Sequence, residues 1–111
     1  MNAQLKRGIV EVCILASLKT GPSYGYKIIN DVSEIIVISE STLYPILRRL
    51  EASNCLTTYS EEFNGRLRKY YKLTDTGKKR ISDFIDEWAE IEKVCHFIKD
   101  KEAFWWIRKL F

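Results

Sequence analysis

Arg66, Arg68, Tyr70 and Lys72 alternate along the stretch that follows Asn64-Gly65. Alternation is strand geometry, so all four fall on one face of an extended segment. Three cations and a phenol on one face can hold phosphate oxygens by charge and by hydrogen bond. Leu67, Tyr71 and Leu73, with Lys69 among them, fall on the other face, which is expected to anchor to a core. Asn64-Gly65 is a strong hairpin signal, because both residues tolerate positive φ. Between positions 66 and 80 there are seven Lys or Arg, of eighteen in the chain, against one acid, Asp75. A charge run of this kind is either a solvated hairpin or a phosphate-gripping arm, and the elements around it must decide.

The 111 residues suffice for one domain with its own core. Net charge is only +3, so the charge distribution carries more than the total. Residues 81 to 92 hold five acids (Asp83, Asp86, Glu87, Glu90, Glu92) and no base. A basic block followed by an acidic helix predicts a localised anion-binding surface. Cys13, Cys55 and Cys95 are odd in number and scattered. That argues against a disulfide framework and for a reducing cytoplasm. The apolar run from Ile9 to Leu18 is broken by Glu11 and is too short to span a bilayer, and no leader pattern opens the chain. A soluble, cytoplasmic, unprocessed chain with no membrane association is expected.

The periodicity predicts helix from Gln4 to about Leu18, with a wide apolar arc. Thr20-Gly21-Pro22 stops it, and Pro22 suits the first position of a second helix ending near Ser33. Its inner side would carry Tyr24, Ile28, Ile29 and Val32. The β-branched run Ile35 to Ile38 predicts a short buried strand. Ser39-Glu40-Ser41-Thr42 offers several N-caps, and Pro45 requires the third helix to begin shortly before it. Leu43, Ile46, Leu47 and Leu50 form its apolar side, leaving Arg48 and Arg49 exposed. Asn54 suits the left-handed position after its C-terminus. A strand from Leu56 to Ser60, a loop from Glu61 to Gly65 and a return strand from Arg66 to Leu73 follow. Thr74 would cap the last helix, with Asp75 complementing its dipole.

Helix, helix, short strand, helix, hairpin and long helix is the plan of a winged helix-turn-helix. The fold class expected is mainly α with a small β-hairpin: a winged domain over 1–74 and a long C-terminal helix with an aromatic tail over 75–111. In that plan the third helix enters the major groove of double-stranded DNA and its first residues meet base edges. Ser41 and Thr42 are the candidate base readers, or they only cap the helix. Arg48 and Arg49, further on, suit phosphates, although Arg49 can instead pair with Glu51. The Tyr44 hydroxyl can bond a phosphate, or its ring can simply pack. The hairpin lies along the backbone or in the minor groove. Tyr70 and Tyr71 can fill a hydrophobic edge instead of touching DNA, and Tyr71 is expected in the core.

In order and spacing, the chain resembles the PadR family of bacterial transcriptional regulators. The residues that carry the resemblance are Tyr24-Gly25-Tyr26, Ser41-Thr42-Leu43-Tyr44-Pro45, Leu47, Arg49-Leu50-Glu51, Arg68 to Thr74 with Gly77, and Trp88. They cover about Leu5 to Ile98. The resemblance implies a homodimer joined through the last helix, a roughly palindromic operator, repression, and response to a small aromatic or cationic effector. It places Tyr26, Ser41, Thr42, Tyr44, Pro45, Arg48, Arg49, Arg66, Arg68, Lys69 and Tyr70 at the DNA. The chain departs from the family at Asn54, where glycine is common, and at Leu67, which replaces a proline in the wing. The ending Phe104 to Phe111 matches no family pattern.

Ile81, Phe84, Trp88, Ile91, Cys95 and Ile98 step by three and four, a heptad seam for a two-fold partner. Trp88 is a large seam residue, or it walls a flat pocket for the effector. Asp86, Glu87 and Glu90 would favour a cation there. The aromatic-basic tail extends the helix and packs on a partner's first helix, in preference to touching a membrane surface. His96 is the lone histidine, and no metal cluster, Gly-rich phosphate loop or Ser/His/Asp arrangement is legible. No enzyme, cofactor or metal is expected. Two rivals remain: a protein-interaction adaptor using the seam, and a redox regulator using Cys95.

Overall fold

The computed structural model describes residues 2–110, with side chains described from Asn2 to Lys101. Six elements follow in order: α1 (Ala3–Ser17), α2 (Gly25–Ser33), α3 (Glu40–Ala52), β1 (Leu56–Phe63), β2 (Arg66–Leu73) and α4 (Asp75–Leu110). The chain divides into two compact units, residues 1–81 and residues 82–111.

The first unit is a three-helix core with a hairpin attached. Val10, Ile14, Leu15 and Leu18 from α1 and its end meet Ile28 and Val32 of α2 and Leu43, Ile46, Leu47 and Leu50 of α3. Leu56, Tyr71 and Leu73 add the base of the hairpin, and Ile81 the start of α4. Asn2 begins α1 by accepting from the Gln4 and Leu5 amides at 2.8 and 3.2 Å. The end of α3 is a Schellman turn: the Asn54 amide bonds the Glu51 carbonyl and the Cys55 amide bonds the Leu50 carbonyl. Asn54 has φ of 62°, as its place after the helix requires. Thr74 caps α4, accepting from the Gly77 amide at 3.0 Å and donating to the Asn54 carbonyl. Gly77 lies so close to the Cys55 carbonyl and Leu73 that a Cβ there would collide with both.

Four local expectations fail. The second helix does not start at Pro22. Ser23 is instead drawn into the sheet, exchanging backbone bonds with Tyr71 at 3.0 and 2.7 Å, and Tyr24 becomes the N-cap. Ile35 to Ile38 forms no strand: β1 pairs with β2, and the other edge of β2 receives Ser23. The segment turns off α2, with Ile38 buried and Ile36 partly buried, while Ile35 and Val37 are 79% and 84% exposed. The hairpin loop is shorter than expected. Glu61, Glu62 and Phe63 remain in β1 opposite Arg68, Leu67 and Arg66, leaving Asn64 (φ 51°) and Gly65 (φ 79°) as a two-residue turn. Leu67, expected to anchor, lies near that turn and is 79% exposed.

In the second unit, Phe84 stacks on Trp88, and Ile85, Trp88, Ile91, Val94, Phe97 and Ile98 are all exposed. Ile81 does not belong to that stripe, because it is buried in the first unit's core. α4 ends at Leu110, and the side-chain packing expected of the aromatic-basic tail lies outside the described residues.

Candidate nucleic-acid interface

The first turn of α3 carries a cluster of hydroxyls. Ser39 is the N-cap, and its Oγ accepts from the Thr42 amide at 3.3 Å. The same oxygen lies 2.8 Å from Ser41 Oγ and 3.1 Å from Thr42 Oγ1. Ser41 and Thr42 are therefore not the cap, and both are exposed. Pro45 sits inside α3. It has no N–H to give the Ser41 carbonyl, so the first turn keeps an acceptor that a continuous helix would use.

Beyond that turn α3 has two functional sides. On one, Tyr44 and Arg48 join Tyr24, Gly25 and Tyr26 of the α2 start and Arg68, Lys69 and Tyr71 of β2 around a cleft of about 430 Å³. Gly25 permits this closeness: a Cβ there would stand 2.5 Å from the Tyr44 hydroxyl. Tyr44 thus packs and also brings its hydroxyl into the cleft. Burial pushes the Tyr71 phenol above its ordinary range, with Tyr44 and Glu51 adding to the shift and Arg48 opposing it. Tyr26, Arg48 and Lys69 are exposed around this cleft.

On its other side α3 turns Arg49 towards α1. Arg49 Nη2 lies 3.1 Å from Glu11 Oε1. It does not pair with Glu51, which accepts from Thr58 Oγ1 at 2.8 Å. Arg49 is not the free cation that its place on α3 suggested.

The wing is fastened by stacked rings. The Arg68 guanidinium lies 3.9 Å from the Tyr24 ring centroid and 3.7 Å from that of Phe63. Tyr70 meets Tyr24 edge-on at 5.9 Å and stacks on Tyr59 at 5.3 Å. The expected face with Arg66, Arg68, Tyr70 and Lys72 exists, but Arg68 and Tyr70 are half-buried in it, and Arg66 and Lys72 are exposed. Glu61 and Glu62 on β1 also dilute the hairpin's positive charge. Sequence reasoning missed Tyr59, Phe63, Glu61 and Glu11. The first three fall in the expected strand end and loop. Glu11 was visible as a lone acid in an apolar run, which signals a buried partner without naming it. No group of three or more His, Cys, Asp or Glu suited to a metal stands together among the described residues. No helix among them is long and apolar enough to cross a membrane.

Residues 14–83 match the sequence model of the transcriptional regulator PadR-like family. The structure is similar to smu.1704 from Streptococcus mutans UA159, with 44% identity, TM-score 0.70, and 78% of this chain and 81% of that one covered. It is also similar to a PadR-like transcription factor from Bacteroides fragilis, with 34% identity, TM-score 0.77, and coverage of 86% and 95%. Bacillus subtilis PadR, solved in complex with operator DNA, aligns at 26% identity and TM-score 0.65 over 69% of this chain and 46% of its own. With a family match over most of the winged unit and these neighbours across the fold, the chain belongs to the PadR-like family of transcriptional regulators.

Proposed function

We propose that the chain is a cytoplasmic repressor that binds a palindromic operator in double-stranded DNA as a homodimer and is released by a small aromatic or cationic effector. The observation that carries the DNA contact is the shared cleft, where Tyr26, Tyr44, Arg48 and Lys69 converge from three elements. Bacillus subtilis PadR, a relative of this fold, was solved with operator DNA. In this assignment Ser41 and Thr42 read base edges in the major groove. Tyr26, Tyr44, Arg48, Arg66 and Lys69 meet phosphates, Pro45 shapes the α3 opening, and Arg68 and Tyr70 hold the wing in place.

The homodimer rests on the second unit. Trp88, Ile91, Cys95 and Ile98 are exposed with Ile85, Val94 and Phe97, and Phe84 is half-buried. Burying each large apolar side chain contributes roughly 1.5–3 kcal/mol. A two-fold pair sets two recognition helices ~34–36 Å apart, one turn of DNA. Trp88 is the candidate wall of an effector pocket in that interface.

The test is titration of duplex DNA at several salt concentrations. Affinity should fall steeply as salt rises, because each neutralised phosphate releases counterions. Absence of duplex affinity at low salt would refute DNA binding and favour the adaptor alternative.

A further inference from the structure

Glu11 stands among the apolar residues of α1 with only 7% of its surface exposed. Its carboxylate gathers three guanidiniums from three elements. Oε1 lies 3.6 Å from Arg7 Nε of α1 and 3.1 Å from Arg49 Nη2 of α3. Oε2 accepts from Arg80 Nη2 near the start of α4. A buried carboxylate tolerates loss of water only when such partners surround it.

Arg49 lies seven residues after Thr42, two turns along the same side of α3. Thr42, Ser41, Pro45 and Arg49 also line one groove of about 580 Å³ with Arg7 of α1. The core residues Leu43, Ile46, Leu47 and Leu50 hold one side of α3, and a pull on Arg49 would act on its remaining freedom to roll about its own axis, and with it on the direction of the Ser41 and Thr42 hydroxyls. The lever is short. A roll of ~10° moves an atom ~5 Å from the axis by about 1 Å. A recognition site holds its groups to within about 0.5 Å.

We propose that Glu11 is the positioning residue for the base-reading end of α3. It acts through Arg49, and Arg7 and Arg80 brace the carboxylate from α1 and α4. Arg49 is then a strut, and its charge is spent on Glu11 instead of on a phosphate. The proposal rests on the DNA-binding function above and makes a prediction that a phosphate contact does not share. Removing the carboxylate frees cations, so it should strengthen non-specific binding while it loosens sequence reading.

The experiment uses the full chain with two substitutions, Glu11→Gln and Arg49→Ala. The probes are the duplex that wild type enriches from a random library and a scrambled duplex of the same composition. Glu11→Gln should bind the scrambled duplex more tightly and with a steeper salt slope. Its preference for the enriched duplex should fall about tenfold or more. Arg49→Ala should lose that preference and keep the wild-type salt slope on scrambled DNA. Circular dichroism checks folding, and if Glu11→Gln does not fold, Arg49→Ala decides alone. A wild-type preference in Arg49→Ala, or a slope flattened by about one phosphate's worth (~0.9), overturns the proposal. Loss of both duplexes in equal measure by a folded Glu11→Gln also overturns it. If wild type itself binds no duplex, the DNA-binding function fails, a result separate from the variants' behaviour.

Discussion

Replacing Arg68 by lysine keeps the wing's charge and removes its double stack. The guanidinium lies between the rings of Tyr24 and Phe63 at 3.9 and 3.7 Å. One cation–π contact contributes ~0.5–1 kcal/mol when exposed and about 2 kcal/mol when desolvated. The Tyr24 contact ties the wing to the start of α2 and the Phe63 contact ties β2 to β1, and on a half-buried side chain the two together contribute about 1–3 kcal/mol. The cross-strand partner Glu61 adds ~0.2–1 kcal/mol, which lysine can retain. Lysine is a compact charge without the flat guanidinium that stacks on both faces. A loss of one to two kcal/mol changes a two-state ratio by roughly 5–30-fold. Local opening is what hydrogen exchange reads. Amides of residues 57–72 should therefore exchange about 5–30 times faster in Arg68→Lys and in Arg68→Ala alike, while α1 and α3 keep their protection. Apparent affinity for duplex DNA should fall with the fraction of docked wings in both variants. The salt slope should stay that of wild type. Normal wing protection in Arg68→Lys, combined with a flattened slope in Arg68→Ala, would refute the stacking argument and make Arg68 a phosphate ligand.

Arg66, exposed near the turn, should behave in the opposite way. Arg66→Ala should weaken every sequence alike and reduce the salt slope by about 0.9, whereas Thr42→Ala should change the sequence preference in a binding selection. Gly77→Ala drives a Cβ into the Cys55 carbonyl and Leu73. A cost of about 1–3 kcal/mol is expected, read as a lower thermal midpoint, and an unchanged midpoint would contradict it. Asn54→Gly should hold or slightly raise the midpoint, because glycine takes φ of 62° without strain, and Asn54→Val should lower it. Trp88→Ala should shift sedimentation towards monomer by at least about 2 kcal/mol in association if Trp88 anchors the homodimer. Unchanged association would remove Trp88 from the interface.

What the sequence disclosed was set by local rules. Asn64-Gly65, Asn54 and Thr74 each declare a backbone conformation or a cap that neighbouring residues alone determine, and each stands where expected. The alternation of Arg66 to Leu73 likewise survives as two faces. What stayed hidden depends on partners far along the chain. Nothing near Pro22 announces that Ser23 will be claimed by Tyr71, and that bridge shortens α2. Ile35 to Ile38 has strand composition, but composition cannot supply a free edge. Ile81 continues the heptad spacing, yet the first unit's core reaches it first. Arg49 and Arg68 read as exposed cations by type and place, and the structure adds a contact to Glu11 for the first and to two aromatic rings for the second. In both cases a cation was counted correctly and its nearest attraction lay on another element.

The bridge between Ser23 and Tyr71 also sets where the wing is tied to the helices. It fastens β2 close to the hairpin's base, and the Arg68 contact with Tyr24 is a second tie nearer the tip. Asn64-Gly65 is the end of the ladder farthest from that bridge, with Phe63 opposite Arg66 next to the turn and Tyr59 opposite Tyr70 nearer the base. The base of β2 is thus where the hairpin is joined to the chain ahead of α2, through the paired backbones of Ser23 and Tyr71.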